Sequence, residues 1–114
     1  MPPREWIFRV RDILAAISAI EDYVRDMTYE QFAVDRKTRE AVIYNLAVIG
    51  EAAASIPDEV QQKHPEISWD DMRRMRNVVV HIYFGVELAV VWQTIHEDLP
   101  PLVDKLRAIL SEEP

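Results

Sequence analysis

Residues 4–27 read Arg4-Glu5-Trp6-Ile7-Phe8-Arg9-Val10-Arg11-Asp12-Ile13-Leu14-Ala15-Ala16-Ile17-Ser18-Ala19-Ile20-Glu21-Asp22-Tyr23-Val24-Arg25-Asp26-Met27. Ile7, Val10, Leu14, Ile17 and Val24 recur at spacings of three, four and seven. That stripe belongs to an amphipathic helix, because a half-buried strand would alternate apolar and polar residues instead. The same period returns downstream. A second helix starts at Asp35, a side chain suited to capping free N–H groups, and carries Val42, Ile43, Leu46, Ile49, Ala53 and Ile56 along one side. Pro57 stops it, since proline cannot donate to the helical ladder and restricts the residue before it.

Pro57-Asp58-Glu59 reads as the first turn of a short helix closing before Pro65, with acids at the positive end of the dipole. Ser68-Trp69-Asp70-Asp71 is the next start, with Ser68 as cap and Asp71 as the acid reaching back. This fourth helix is expected to run to about Phe84 and to end at Gly85. A last stretch from Val86 to Ser111 offers Val90, Val91, Ile95, Leu102, Leu106, Ile109 and Leu110 for burial, and Pro100-Pro101 must kink or split it near Leu99. The fold expected is all-α: one domain over residues 1–114, a bundle of four to five helices.

Composition narrows the function. The chain has 114 residues, enough for one core and little more. With no Cys, thiolate metal sites, disulfides and Cys nucleophiles are excluded, and 2 Gly cannot build a glycine-rich phosphate loop. No run reaches the ~18 apolar residues of a membrane span. Met1-Pro2-Pro3-Arg4-Glu5 lacks the pattern of a signal peptide, so a cytoplasmic protein without membrane contact is expected.

The net charge of −7 rules out a generally basic coat, so a nucleic-acid contact needs a local patch. Residues 69–80 supply one: Arg73, Arg74 and Arg76 outnumber Asp70 and Asp71. The flanks are acidic, with four acids and one base in residues 41–68 and six acids and two bases in residues 81–114. On a helical wheel with Arg76 at zero, Tyr83 falls near about −20°, Asn77 near about 100° and His81 near about 140°. Val80 and Phe84 lie among them, so this helix is apolar nearly all round and needs a second surface. A homodimer contact supplies that surface and brings two Arg and two His together.

His titrates near neutrality and can take a proton from a ribose 2′-OH or give one to a leaving oxygen. Arg holds a phosphoryl group in a planar fork and stabilises its growing charge. Asn77, four residues from His81, can orient the imidazole. These groups suffice for RNA cleavage without a metal. The plainer reading of the same spacing is an interface histidine and a salt-bridged arginine; Glu51 could pair with Arg73 or Arg76 in that way.

Arg76, four further residues and His81-Ile82-Tyr83 resemble the R-x4-H-x-Y motif of the HEPN superfamily, and of its HepT-like toxins in particular. The likeness extends in order over the stretch from Asp35-Arg36 through Tyr44-Asn45-Leu46, then Ile49-Gly50-Glu51-Ala52-Ala53, Pro65-Glu66-Ile67-Ser68-Trp69, Met75-Arg76-Asn77, Tyr83-Phe84-Gly85-Val86, Val91-Trp92 and Asp98-Leu99-Pro100. Residue 82, often acidic in such toxins, is Ile here. The resemblance implies a HEPN-like all-α homodimer with a ribonuclease site at its cleft, Arg76 and His81 being catalytic. It also implies an operon partner, a minimal nucleotidyltransferase antitoxin that neutralises the toxin by transferring AMP to Tyr83, in a type VII-like toxin–antitoxin system. Asn77 would support His81, Arg73 and Arg74 would contact RNA, and neither metal nor cofactor is called for. A different class remains open: a HEPN subunit that binds a nucleotide or the transferase and cleaves nothing.

His64 and His96 have no partner at metal-ligand spacing and are expected to be structural or solvated. Trp6, Trp69 and Trp92 are expected to anchor helices rather than stack bases. Asn45 either bonds within the bundle or lines a cleft.

Overall fold

The computed structural model describes residues 5–77 and 88–112. All regular structure among them is helical. The helices are α1 (Glu5–Val24), α2 (Tyr29–Val34), α3 (Arg36–Ala54), α4 (Asp58–Lys63), α5 (Trp69–Arg74), α6 (Leu88–Gln93) and α7 (Leu99–Ser111). A 3₁₀ turn (Met75–Asn77) continues α5, and a π-helical turn (Thr94–Asp98) joins α6 to α7.

α1 and α3 are the long antiparallel pair at the centre of the bundle, and α5 packs on α3 while α7 packs on α1. The apolar stripes meet as the periodicity predicts. Val10, Ile13, Ile17 and Ile20 of α1 and Val42, Leu46 and Ile49 of α3 are all buried, with Phe32, Met72, Leu99, Leu106 and Ile109 closing the core around them. Burying each such side chain is worth roughly 1.5–3 kcal/mol, which a short helix needs because it is marginal alone.

The helix ends show why the chain turns where it does. After α1, Asp26 takes a left-handed conformation (φ 61°), which Asp tolerates better than most residues, and the chain reverses. Thr28 then opens α2 with a reciprocal capping box: its hydroxyl accepts from the Gln31 N–H at 3.1 Å, and the Gln31 side chain accepts from the Thr28 N–H at 2.9 Å. This short helix was not anticipated. Asp35 caps α3 as expected, its carboxylate accepting from the Thr38 N–H at 3.0 Å and from the Thr38 hydroxyl at 2.9 Å. Those two bonds, the backbone one foremost, hold the Asp35 carboxyl below the usual carboxylate range, with Arg39 helping.

Three expectations need correction. Ser68 sits at the N-cap of α5 but makes no side-chain cap bond, and Asp71 turns away to pair with Arg74 at 3.0 Å. The fourth helix does not run unbroken in α geometry: it tightens after Arg74, where the Met75 N–H reaches back to the Met72 carbonyl. Its expected continuation to Phe84 and the Gly85 cap lie outside the described residues. Val90 is 49% exposed; Val91 and Ile95, four apart, take the inward face, and Val90 is rotated off it. The break at Pro100-Pro101 is real but takes a specific form. Both prolines sit in the first turn of α7, where the missing N–H costs nothing, and the π-helical turn precedes them.

Around that turn Trp92 packs with its ring centroid 5.1 Å from Phe32, 6.2 Å from Tyr29 and 4.2 Å from His96. No helix among the described residues is long and apolar enough to cross a membrane.

Candidate functional site

The basic segment comprises α5 and the 3₁₀ turn that follows it. α5 is amphipathic: Trp69 and Met72 are buried, so Arg73 and Arg74 are carried on its outer side. Arg73 is paired with Asp70, one turn back, and donates to the Gln61 side-chain oxygen of α4. Arg74 is paired with Asp71. The following 3₁₀ turn buries Met75 and leaves Arg76 and Asn77 exposed.

Arg76 is fixed twice by α3. Its guanidinium Nη1 lies 3.4 Å from Oε1 of Glu51, the partner that sequence reading named. Its backbone rests against Gly50: a Cβ at residue 50 would come within 2.7 Å of the Arg76 nitrogen and 2.8 Å of the Arg76 Cβ. Only a residue without a side chain lets the turn approach α3 this closely. Sequence reading did not single out this contact. Its trace was present, since a glycine inside a helical pattern costs about 1 kcal/mol relative to alanine and calls for a packing reason.

The structure therefore carries Arg73, Arg74, Arg76 and Asn77 on one short segment, with Arg73 turned to α4, Arg74 to Asp71 and Arg76 to Glu51 of α3. His81 and Tyr83 lie outside the described residues. Each arginine already holds a carboxylate, but the pairs are largely exposed: Arg76 and Glu51 are 45% and 71% accessible. Such pairs contribute about 0–1 kcal/mol, so a phosphate can replace the carboxylate at little cost.

Between α1 and α3 runs a cleft lined by Arg9, Asp12, Tyr44, Val48, Glu51 and Ser55. Tyr44 stands 69% exposed at its side. Asn45 turns back into its own helix and donates to the Ala41 carbonyl at 2.9 Å.

The other residues weighed from sequence take structural positions. His64 is buried, with Nδ1 3.3 Å from Glu66, and its carbonyl accepts from the Trp69 indole at 3.0 Å. His96 is exposed, with Nδ1 2.9 Å from the Trp92 carbonyl. Trp6 and Trp69 are buried. Among the described residues no three His, Asp or Glu side chains converge as a metal ion would require.

Comparison with known proteins points one way. The family model described as Ribonuclease HepT-like matches residues 13–109, a span that includes the whole of Arg76 to Tyr83. A protein of Thermococcus cleftensis named Probable ribonuclease HepT is 44% identical over 88% of this chain and 91% of its own length. A Methanocaldococcus jannaschii protein named as an RNase is 33% identical over 98% of this chain and 93% of its own. Another from Caldanaerobacter subterraneus subsp. tengcongensis, also named as an RNase, is 32% identical over 89% and 90%. No solved structure gives a significant match.

Proposed function

The chain belongs to the HepT-like ribonuclease family, and from that premise we propose that it is an RNase toxin cleaving RNA by a metal-independent internal transesterification. The observation that carries this reading is Arg76. It is the arginine whose spacing to His81 and Tyr83 resembles the R-x4-H-x-Y motif, it falls within the matched span, and it stands exposed, seated by Gly50 and loosely held by Glu51.

In the proposed reaction Arg76 binds the scissile phosphate and neutralises charge as the phosphorus becomes five-coordinate. The ribose 2′ oxygen attacks, the bond to the 5′ oxygen breaks, and His81 acts as general acid/base at the reacting oxygens. Asn77 orients His81, and Arg73 and Arg74 hold neighbouring phosphates. The site is completed by a second copy of the chain: two copies of the basic segment across a two-fold axis give a cleft with paired arginines. The neutralising partner is a minimal nucleotidyltransferase antitoxin that adds AMP to Tyr83, placing a phosphate where the arginine would otherwise take RNA. The protein acts in the cytoplasm.

Incubating the purified protein with RNA in EDTA tests the reading. Cleavage by the wild type, lost in Arg76→Ala and in His81→Ala, is the expected result. Undiminished cleavage by both variants overturns it. Intact mass after co-expression with the transferase tests the regulation: the wild type gains AMP and Tyr83→Phe does not.

A further inference from the structure

Resting on the ribonuclease reading, we propose that Glu51 is a further catalytic residue, the group that takes the proton from the ribose 2′-OH of a nucleotide seated in the cleft between α1 and α3. Three observations converge on it. The Glu51 carboxylate is the group that meets Arg76, Oε1 to Nη1 at 3.4 Å, so a phosphate on that guanidinium brings its own ribose to the carboxylate. In an attack-ready nucleotide the 2′ oxygen lies about 3–3.5 Å from phosphorus. Glu51 is also 71% exposed and held by one long, end-on contact, which leaves it free to swing to a sugar hydroxyl once phosphate has taken the arginine.

The cleft is an open groove of about 340 Å³, a volume within the range of small-ligand sites. Tyr44 and Glu51 are seven residues apart on α3 and so share a face, offset by about 20° on the helix. The exposed Tyr44 ring offers a stacking surface for a base at one end, and Ala47 between them leaves room for the sugar. The other carboxylate of the cleft, Asp12, is taken by Arg9 at 3.0 Å on its own helix. Arg9, Asp12 and Tyr44 line the cleft with Glu51, and Arg76 pairs with it.

The chemistry balances. The Glu51 carboxylate accepts the 2′-OH proton as the 2′ oxygen forms its bond to phosphorus. The bond from phosphorus to the 5′ oxygen breaks, and that oxygen takes a proton from His81, the acid of the proposed mechanism. The products are a 2′,3′-cyclic phosphate and a free 5′-OH, and Glu51 returns its proton to water. One proton acceptor and one proton donor then share the work of a reaction that moves two protons.

Steady-state RNA cleavage in EDTA by full-length Glu51→Gln, Glu51→Asp and Arg76→Ala tests this. Gln keeps an oxygen that accepts from Arg76 but cannot take the proton. The expected result is a fall in kcat of about 100-fold or more in Glu51→Gln with KM little changed. Glu51→Asp should retain part of the activity. Wild-type kcat in Glu51→Gln, with Arg76→Ala inactive, overturns the role of Glu51 and leaves the ribonuclease reading standing. Absence of cleavage by the wild type, or full activity in Arg76→Ala, overturns both. Thermal melts show that a loss is not unfolding, since Glu51 is exposed and its replacement should leave Tm within a few degrees.

Discussion

Replacing Gly50 by alanine should disable Arg76 while leaving the bundle folded. The new Cβ would meet the Arg76 nitrogen at 2.7 Å, the Arg76 Cβ at 2.8 Å and the Arg73 carbonyl oxygen at 3.2 Å. None of these atoms is the end of a flexible side chain, so the 3₁₀ turn must move off α3 as a unit. Ordinary contact begins at 3.4 Å, so the gap has to open by about 0.7 Å at its tightest point. Two energies then compete. Alanine inside a helix gains about 1 kcal/mol over glycine, whereas overpacking a tight contact costs about 1–3 kcal/mol. The net destabilisation is about 0–2 kcal/mol, a fall in Tm of several degrees rather than unfolding. Activity is far more sensitive, because misplacing a reacting group by about 1 Å can cost about 100-fold. Melting curves and RNA cleavage in EDTA, run on the same preparation, should show a 10- to 100-fold loss of kcat, roughly, with a modest fall in Tm. A variant with full activity and a raised Tm would refute the idea that Gly50 seats Arg76.

Other expectations follow from the same geometry. Leu46→Ala opens a hole at a fully buried position of α3 and should cost about 2–5 kcal/mol in urea unfolding. Asp35 has a depressed carboxyl pKa in the folded state, so its cap stabilises α3 above the ordinary carboxylate range and is lost as pH falls through the folded value. Asp35→Asn keeps a capping side chain that does not titrate, so melting temperatures followed below about pH 4 should decline less steeply than in the wild type. Arg73→Ala with Arg74→Ala should weaken RNA binding at every sequence. It should also lower the slope of log affinity against log salt by about 1.4 if each arginine meets one phosphate of a single strand; an unchanged slope would remove both from the RNA track.

Much of the fold was legible because it is written in period. Val10, Ile17, Val42, Leu46, Ile49, Leu102, Leu106 and Ile109 were named from spacing and are buried. Asp35 and Pro57 were legible because capping and proline chemistry act within a few residues. What was missed needed three dimensions. The capping box of Thr28 and Gln31 lies in a six-residue helix too short to show periodicity, and tertiary contact of Phe32 with the core and Trp92 holds it. The tightening at Met75 depends on Gly50, 25 residues earlier than Met75 and visible only once α3 and α5 are packed. Asp71 fitted a capping box by position but had a stronger partner, Arg74, one turn onward. The site followed the same rule. Its residue types, and Glu51 as a partner for either Arg73 or Arg76, could be named from sequence, while the choice of Arg76, the cleft beside Glu51 and the seat of Arg76 emerge from the packing of α3 against its neighbours.

The central claim is that Arg76 serves a transesterification that needs no metal. The ends of the RNA fragments made in EDTA test it most directly. The account predicts 2′,3′-cyclic phosphate and 5′-OH ends from the wild type and none above background from Arg76→Ala. Fragments bearing 5′-phosphate, formed only when a divalent metal is restored and formed equally by Arg76→Ala, would contradict it.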